Sequence, residues 1–148
     1  VLTVRQHAYT IPRPAIENLE EEHKDFTGYY PYSERAPLAV WNKPSIAMCN
    51  EASYSNAEIF SHAYKTLGLG KLVGQPTFGA VISTGGASLI DGSYIRLPFR
   101  AWYTKGEQMN MENGPAVPDI KVTNAPDDKA NGKDPQLKRA VEELLKDI

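Results

Sequence analysis

The chain has 148 residues, enough for one domain with a sizeable core, and its 41% hydrophobic and 23% charged residues are ordinary globular composition. A net charge of −2 without a basic patch argues against a nucleic-acid module, and no apolar run approaches the roughly 18–20 residues that cross a bilayer. The single cysteine, Cys49, excludes an internal disulfide and any cysteine-based metal site, and its apolar neighbours make it a buried core thiol.

The chain opens on Val1 without a signal-peptide core, so it is expected to begin inside a longer product. Cysteine usage leaves the compartment open between cytoplasm and periplasm. Residues 1–37 read as an irregular connecting segment. Pro12 and Pro14 break helices there, Glu20, Glu21 and Glu22 form a solvated charge run, and Tyr29, Tyr30 and Tyr32 flank Pro31.

The organised part is expected from 38 to 148. Residues 38–41 are apolar, Lys43-Pro44 punctuates them, and 45–49 reads as a short buried strand. A polar turn of small residues, 50–55, leads into a helix over 56–67, with Ala57, Phe60, Ala63, Tyr64 and Leu67 at three- and four-residue steps. Ser55 or Asn56 is the expected N-cap, Glu58 suits the positive helix end, and Gly68 and Gly70 supply the stop. Further strands are expected at 71–74, 80–83, 87–90, 94–97, 99–103 and 118–122, with Asp91-Gly92 as a hairpin turn. Asp134 caps and Pro135 starts a C-terminal helix whose apolar face is Leu137, Val141, Leu144, Leu145 and Ile148.

The strand, turn and helix of 45–67 can do chemistry. A serine at such a junction stands at the end of a strand, beside backbone N–H groups that have no intrahelical partner and can stabilise an oxyanion. A serine at an N-cap is also common for capping alone.

The wording of this region carries a resemblance. Lys43-Pro44, then Asn50-Glu51-x-Ser53-x-Ser55-x-Ala57-Glu58, then Leu67-Gly68-x-Gly70-Lys71-x-Val73-Gly74-x-Pro76-Thr77-Phe78-Gly79 is similar to the tail-specific, C-terminal processing serine proteases. In that pattern the second serine is the nucleophile, which implies Ser55 with Ser53 as the alternative, and the backbone N–H of Asn56 as an oxyanion donor. The Ser/Lys members carry their lysine just after Thr-Phe-Gly. Here that position is Ala80, which accepts no proton. The stretch from Glu112-Asn113-Gly114 through Pro118-Asp119, and Gly132-Lys133-Asp134-Pro135 beyond it, resembles the tricorn-like branch instead.

That branch implies a Ser/His/Ser/Glu arrangement in which Glu112 orients the catalytic apparatus. Its base histidine and a second, Gly-rich oxyanion donor lie well upstream of the nucleophile. His7, His23 and His62 do not match that pattern and are expected in surface or packing roles. Asn56 replaces the aspartate usual in that branch, and a backbone donor tolerates the exchange.

The resemblance implies an α/β fold, the C-terminal part of a ClpP/crotonase-like domain with short strands, a nucleophile helix and a C-terminal helix. It implies a serine peptidase acting on peptides or unfolded chains through an acyl-enzyme, with no metal or organic cofactor. The remainder of the catalytic domain is the expected partner, and homo-oligomers are compatible with it. A catalytically inactive peptide- or hydrophobic-ligand-binding module of the same fold is the alternative.

Overall fold

The computed structural model describes residues 8–12 and 43–148. The charge run at 20–22, the aromatic segment at 29–32, the apolar stretch 38–41, His7 and His23 lie outside the described residues. Among the described residues, six strands and two helices follow in the order β1 (Ala8–Pro12), β2 (Ala47–Cys49), α1 (Asn56–Thr66), β3 (Leu72–Gly74), β4 (Ile82–Ser88), β5 (Tyr94–Thr104), β6 (Ile120–Lys121) and α2 (Pro135–Leu144). This is a mixed α/β architecture. It corrects the expectation of an irregular segment at one place: β1 pairs antiparallel with the end of β5, from Ala8 opposite Thr104 to Pro12 opposite Arg100.

The strands form two sheets. One is parallel, in the order β2-β3-β6, with Ala47 opposite Leu72, Cys49 opposite Gly74 and Val73 opposite Ile120. The other is antiparallel, in the order β1-β5-β4. α1 packs on β2, β3 and β5, so it touches both sheets. Its Tyr64 joins the buried cluster of Ala47, Cys49, Leu72 and Ala116, while Ile59 packs on the second cluster of Ala8, Val81, Trp102 and Met111. The start of α1 therefore stands at the junction of the two sheets.

Local signals account for the parallel half. Gly68 takes a φ of 60° after α1, and the Gly68 and Leu69 N–H groups return to the Lys65 and Tyr64 carbonyls, a Schellman ending. Asp119 locks β3: its carboxylate accepts the Leu72 N–H at 2.8 Å, and its own N–H donates to the Leu72 carbonyl at 2.8 Å.

The hairpin differs from expectation in extent. Parts of the stretches 80–83 and 87–90 join in the single strand β4, Ile82–Ser88, which Gly85 and Gly86 do not interrupt, while 80–81 and 89–90 lie outside it. The stretches 94–97 and 99–103 are likewise one strand through Pro98. A bulge reconciles them, since Ser83 faces Arg100 while Thr84 faces Pro98, leaving Phe99 as the extra residue. Asp91 shapes the turn by accepting the Ser93 N–H and hydroxyl at 3.0 and 2.7 Å.

Both helices bury an unexpected face. In α1, Ala63 and Tyr64 are buried as the periodicity predicts, but Phe60 is 45% exposed while Glu58, Ser61 and His62 are buried. In α2, Asp134 caps as expected, accepting the Leu137 N–H at 2.9 Å, and Pro135 opens the helix. Its apolar positions Leu137, Val141, Leu145 and Ile148 are exposed, and Gln136, Ala140 and Glu143 are buried instead. The polar residues are drawn inward by specific partners: Gln136 Nε2 donates to the Val122 carbonyl, and Glu143 meets Lys71 next to β3.

Candidate functional site

The chain leaves β2 through a turn held by short polar contacts. The Ser53 N–H donates to the Asn50 carbonyl at 2.9 Å, Ser53 Oγ accepts the Asn50 N–H at 3.1 Å, and Asn50 Oδ1 accepts the Ala52 N–H. Ser53 is thus built into the turn.

Ser55 stands two residues on, at the N-cap position of α1, with φ 57° and ψ −114°. An ordinary capping serine has extended backbone and bonds its side chain to an N–H of the first turn. Ser55 departs from this: its φ is left-handed, and its side chain only faces the Glu58 N–H in a loose capping box, without a cap bond of ordinary geometry. The first-turn donors go elsewhere, Ala57 N–H to the Tyr54 carbonyl and the N–H groups of Glu58 and Ile59 to the Ser55 carbonyl. A β-carbon residue in this region costs about 1–3 kcal/mol and persists only where its surroundings enforce it.

The Ser55 carbonyl points into the helix to meet those donors. The trans peptide then turns the Asn56 N–H the opposite way, out of the helix end. No group among the described residues accepts it. The Ser55 hydroxyl, without a cap bond of ordinary geometry, and the unengaged Asn56 N–H thus stand on adjacent residues, the local geometry that anion stabilisation beside a nucleophile requires.

Glu58 underlies this elbow. It is fully buried, yet it lies on the first turn of a helix and collects four donors. Oε1 accepts the N–H groups of Ser55 at 3.1 Å and Ala80 at 2.9 Å. Oε2 accepts the Thr77 hydroxyl at 2.7 Å and the Gly79 N–H. Burial pushes the carboxyl pKa up, but the bonds from Thr77, Ala80, Gly79 and Ser55 outweigh it and leave the group below its ordinary 4.5. The sequence points only to a dipole role for Glu58. Its spacing from Ser55, Ser-x-x-Glu, is that of a capping box and was the available signal. The bonds to Thr77, Gly79 and Ala80 span 19 to 22 residues and no local pattern announces them.

Ala80 sits at this elbow, sharing one carboxylate oxygen with Ser55. The position where the Ser/Lys pattern carries its lysine is thus beside Ser55 and holds a methyl group.

The segment bearing Glu112 is attached to the same loop. The Asn113 N–H donates to the Gly79 carbonyl at 2.8 Å, and the Ala116 N–H to the Thr77 hydroxyl at 2.8 Å. Gly79 takes a φ of 89°, where a side chain is strained although a β-carbon would meet Pro115 only at van der Waals distance. Glu112 donates its own N–H to Asn110 Oδ1, while its Oε2 is buried without a hydrogen-bond partner among the described residues.

His62 lies on the buried side of α1, with Nε2 3.0 Å from the Gly114 carbonyl. A carbonyl only accepts, so Nε2 carries the proton. Burial holds the imidazole below its usual pKa, with the Gly114 bond opposing it only in part. His62 is a packing link between α1 and the 112–116 segment. Cys49 is buried as expected, its thiol donating to the Gln75 carbonyl, and burial pushes it up to about 11. No group of three or more His, Cys, Asp or Glu able to hold a metal occurs among the described residues.

Comparisons with known proteins converge on this region. The family model for Peptidase family S41 matches residues 4–122. The chain is 38% identical over 104 residues to the tricorn protease of Thermoplasma acidophilum, a match covering 70% of the chain and 10% of that protein. It is 39% identical over 111 residues to tricorn protease homolog 1 of Streptomyces coelicolor, covering 74% of the chain and 10% of the relative. The crystal structure of the tricorn protease superposes with a TM-score of 0.64 at 38% identity, over 69% of this chain and 10% of that one. Mature CPAF shares the fold at a TM-score of 0.54 and 22% identity, over 60% of this chain and 17% of its own. The chain spans about a tenth of the length of the curated relatives it matches.

Proposed function

The chain belongs to peptidase family S41, and from that premise we propose that it carries the nucleophile and one oxyanion donor of a serine peptidase that hydrolyses peptides or unfolded chains. The observation that carries this reading is Ser55, a helix N-cap residue held at the strained φ of 57° beside the unengaged Asn56 N–H.

In this reading Ser55 Oγ attacks a peptide carbonyl and gives its proton to a base. That base comes from outside the described residues, since His62 is committed to Gly114 and Ala80 has no proton-transfer chemistry. The Asn56 N–H stabilises the tetrahedral oxyanion with a second donor from the same outside segment. Collapse releases the amine, and water hydrolyses the acyl-enzyme. Glu112 accepts a hydrogen bond from the apparatus that orients the base. Its buried, unsatisfied Oε2 supports that role, because an unpartnered buried carboxylate oxygen is costly unless a donor meets it.

The finer architecture follows the same reading: 38–148, with β1 of the preceding segment joined to its antiparallel sheet, forms the C-terminal part of a ClpP/crotonase-like catalytic domain. The remainder of that domain is its obligatory partner. Peptides bind by strand addition at an edge of the 80–103 region.

The test is hydrolysis of an unstructured peptide by the full-length protein. Ser55→Ala is expected to reduce kcat by at least about 10³-fold with the fold intact, as loss of a nucleophile does. Wild-type turnover in Ser55→Ala, or wild-type protein that binds peptide without ever cleaving it, would contradict the proposal.

A further inference from the structure

We infer that Glu58 is a positioning residue for Ser55, fixing the two peptide planes that flank it and tying them to the loop on which the Glu112 segment hangs. The inference rests on the reading of Ser55 as nucleophile and adds a residue to that site.

Glu58 grips Ser55 from both sides. Its side chain accepts the Ser55 N–H, which fixes the peptide plane before the Ser55 Cα. Its own backbone N–H donates to the Ser55 carbonyl at 2.9 Å, which fixes the plane after it. Between them these two bonds set φ and ψ of a residue that would otherwise relax out of the left-handed region. The direction of the Ser55 side chain follows from φ and ψ, and so does that of the Asn56 N–H, because it shares the second plane. One residue thus aims both the hydroxyl and the oxyanion donor.

The grip is rigid because the carboxylate is itself held. The Thr77 hydroxyl and the Gly79 and Ala80 N–H groups occupy its remaining acceptor directions, so it cannot swing with the helix end. The same loop receives the Asn113 N–H at Gly79 and the Ala116 N–H at Thr77. Ser55 and the Glu112 segment are therefore registered through one carboxylate. An amide cannot replace it. Either orientation of a glutamine sets an NH2 against a backbone N–H that can only donate, from Gly79 on one side or from Ser55 and Ala80 on the other.

A role confined to folding and a role in positioning differ in what they predict for molecules that remain folded. The experiment compares full-length wild type, Glu58→Gln and Thr77→Val by the rate of fluorophosphonate labelling, by kcat and KM on an unstructured peptide, and by circular dichroism. Rates are normalised to folded protein. Glu58→Gln is expected to lose about 100-fold in labelling rate and in kcat, the size of effect that misplacing a reacting group by about an ångström produces, with KM within about threefold. Thr77→Val removes one of the four donors and is expected to lose about tenfold. Labelling of folded Glu58→Gln at the wild-type rate overturns the inference. Should Glu58→Gln fail to fold, Thr77→Val decides: a drop in labelling of its folded form supports the inference, and the wild-type rate overturns it. Peptide mapping of the wild-type adduct separates the two claims, since a label on any residue other than Ser55 removes the nucleophile reading itself.

Discussion

The two helices each bury a glutamate, and they bury it in opposite ways. Glu58 at the start of α1 is surrounded by neutral donors, three backbone N–H groups and a hydroxyl. Glu143 near the end of α2 is 3% exposed and meets three cations: Lys71 at 2.8 Å, Arg139 at 2.9 Å and Lys146 at 2.5 Å. Backbone donors are rigid and belong to the segments that carry the candidate site. The cations sit on flexible stems that are 45 to 61% exposed, and one of them, Lys71, ties α2 to the start of β3. A carboxylate among fixed dipoles defines geometry, whereas one among mobile cations gives screened cohesion.

That contrast is open to direct test, beginning with the largest effect. Glu58→Ala leaves buried N–H donors unpaired and is expected to cost about 3 kcal/mol, nearly independent of salt, in chemical denaturation of the full-length protein. A loss that shrinks strongly in 1 M salt would make Glu58 another surface clasp. Gly74→Ala probes the strand that receives both helices. Its β-carbon would stand 1.9 Å from the Cys49 carbonyl at a φ of 133°, so about 3 kcal/mol or a failure to fold is expected.

Glu143→Gln is expected to lower the thermal midpoint modestly at pH 7 and less so in 1 M salt. Its hydrogen bonds from Lys146 and Lys71 hold the pKa down from 4.5 to about 2. A carboxylate depressed on folding stabilises above its unfolded pKa and loses that contribution as pH falls through the folded one. The difference between variant and wild type should therefore be full above pH 4.5 and fade toward pH 2. A difference constant over that window would contradict the charge clasp. The smallest effect belongs to Gly68→Ala, where φ is 60° and no atom lies within 4 Å. Only backbone conformation opposes the methyl, so about 1 kcal/mol is expected from the thermal midpoint.

What was legible in the sequence is what local chemistry decides. The strand ending at Cys49, shorter at its start than the expected 45–49, the turn, the helix from Asn56 and its Gly68 stop, the Asp91-Gly92 hairpin and the Asp134-Pro135 helix start all depend on neighbours a few residues apart. What was not legible depends on distant partners. β1 forms because β5 offers it an edge, and β5 continues through Pro98 because a bulge at Phe99 absorbs the mismatch. The inward faces of α1 and α2 are polar because Glu58 and Glu143 find donors and cations from other segments, which periodicity does not register. Ser55 itself was visible as a position at a strand–helix junction. Its positive φ depends on partners as far along the chain as Ala80, which the local pattern does not register.

The central claim is that this strained serine is a nucleophile. It is tested most directly by treating the full-length protein with a fluorophosphonate and mapping the modified residue by mass spectrometry. One adduct is expected, on Ser55, lost in Ser55→Ala and retained in Ser53→Ala. An adduct on Ser53, or equal labelling of Ser55→Ala and wild type, would contradict it.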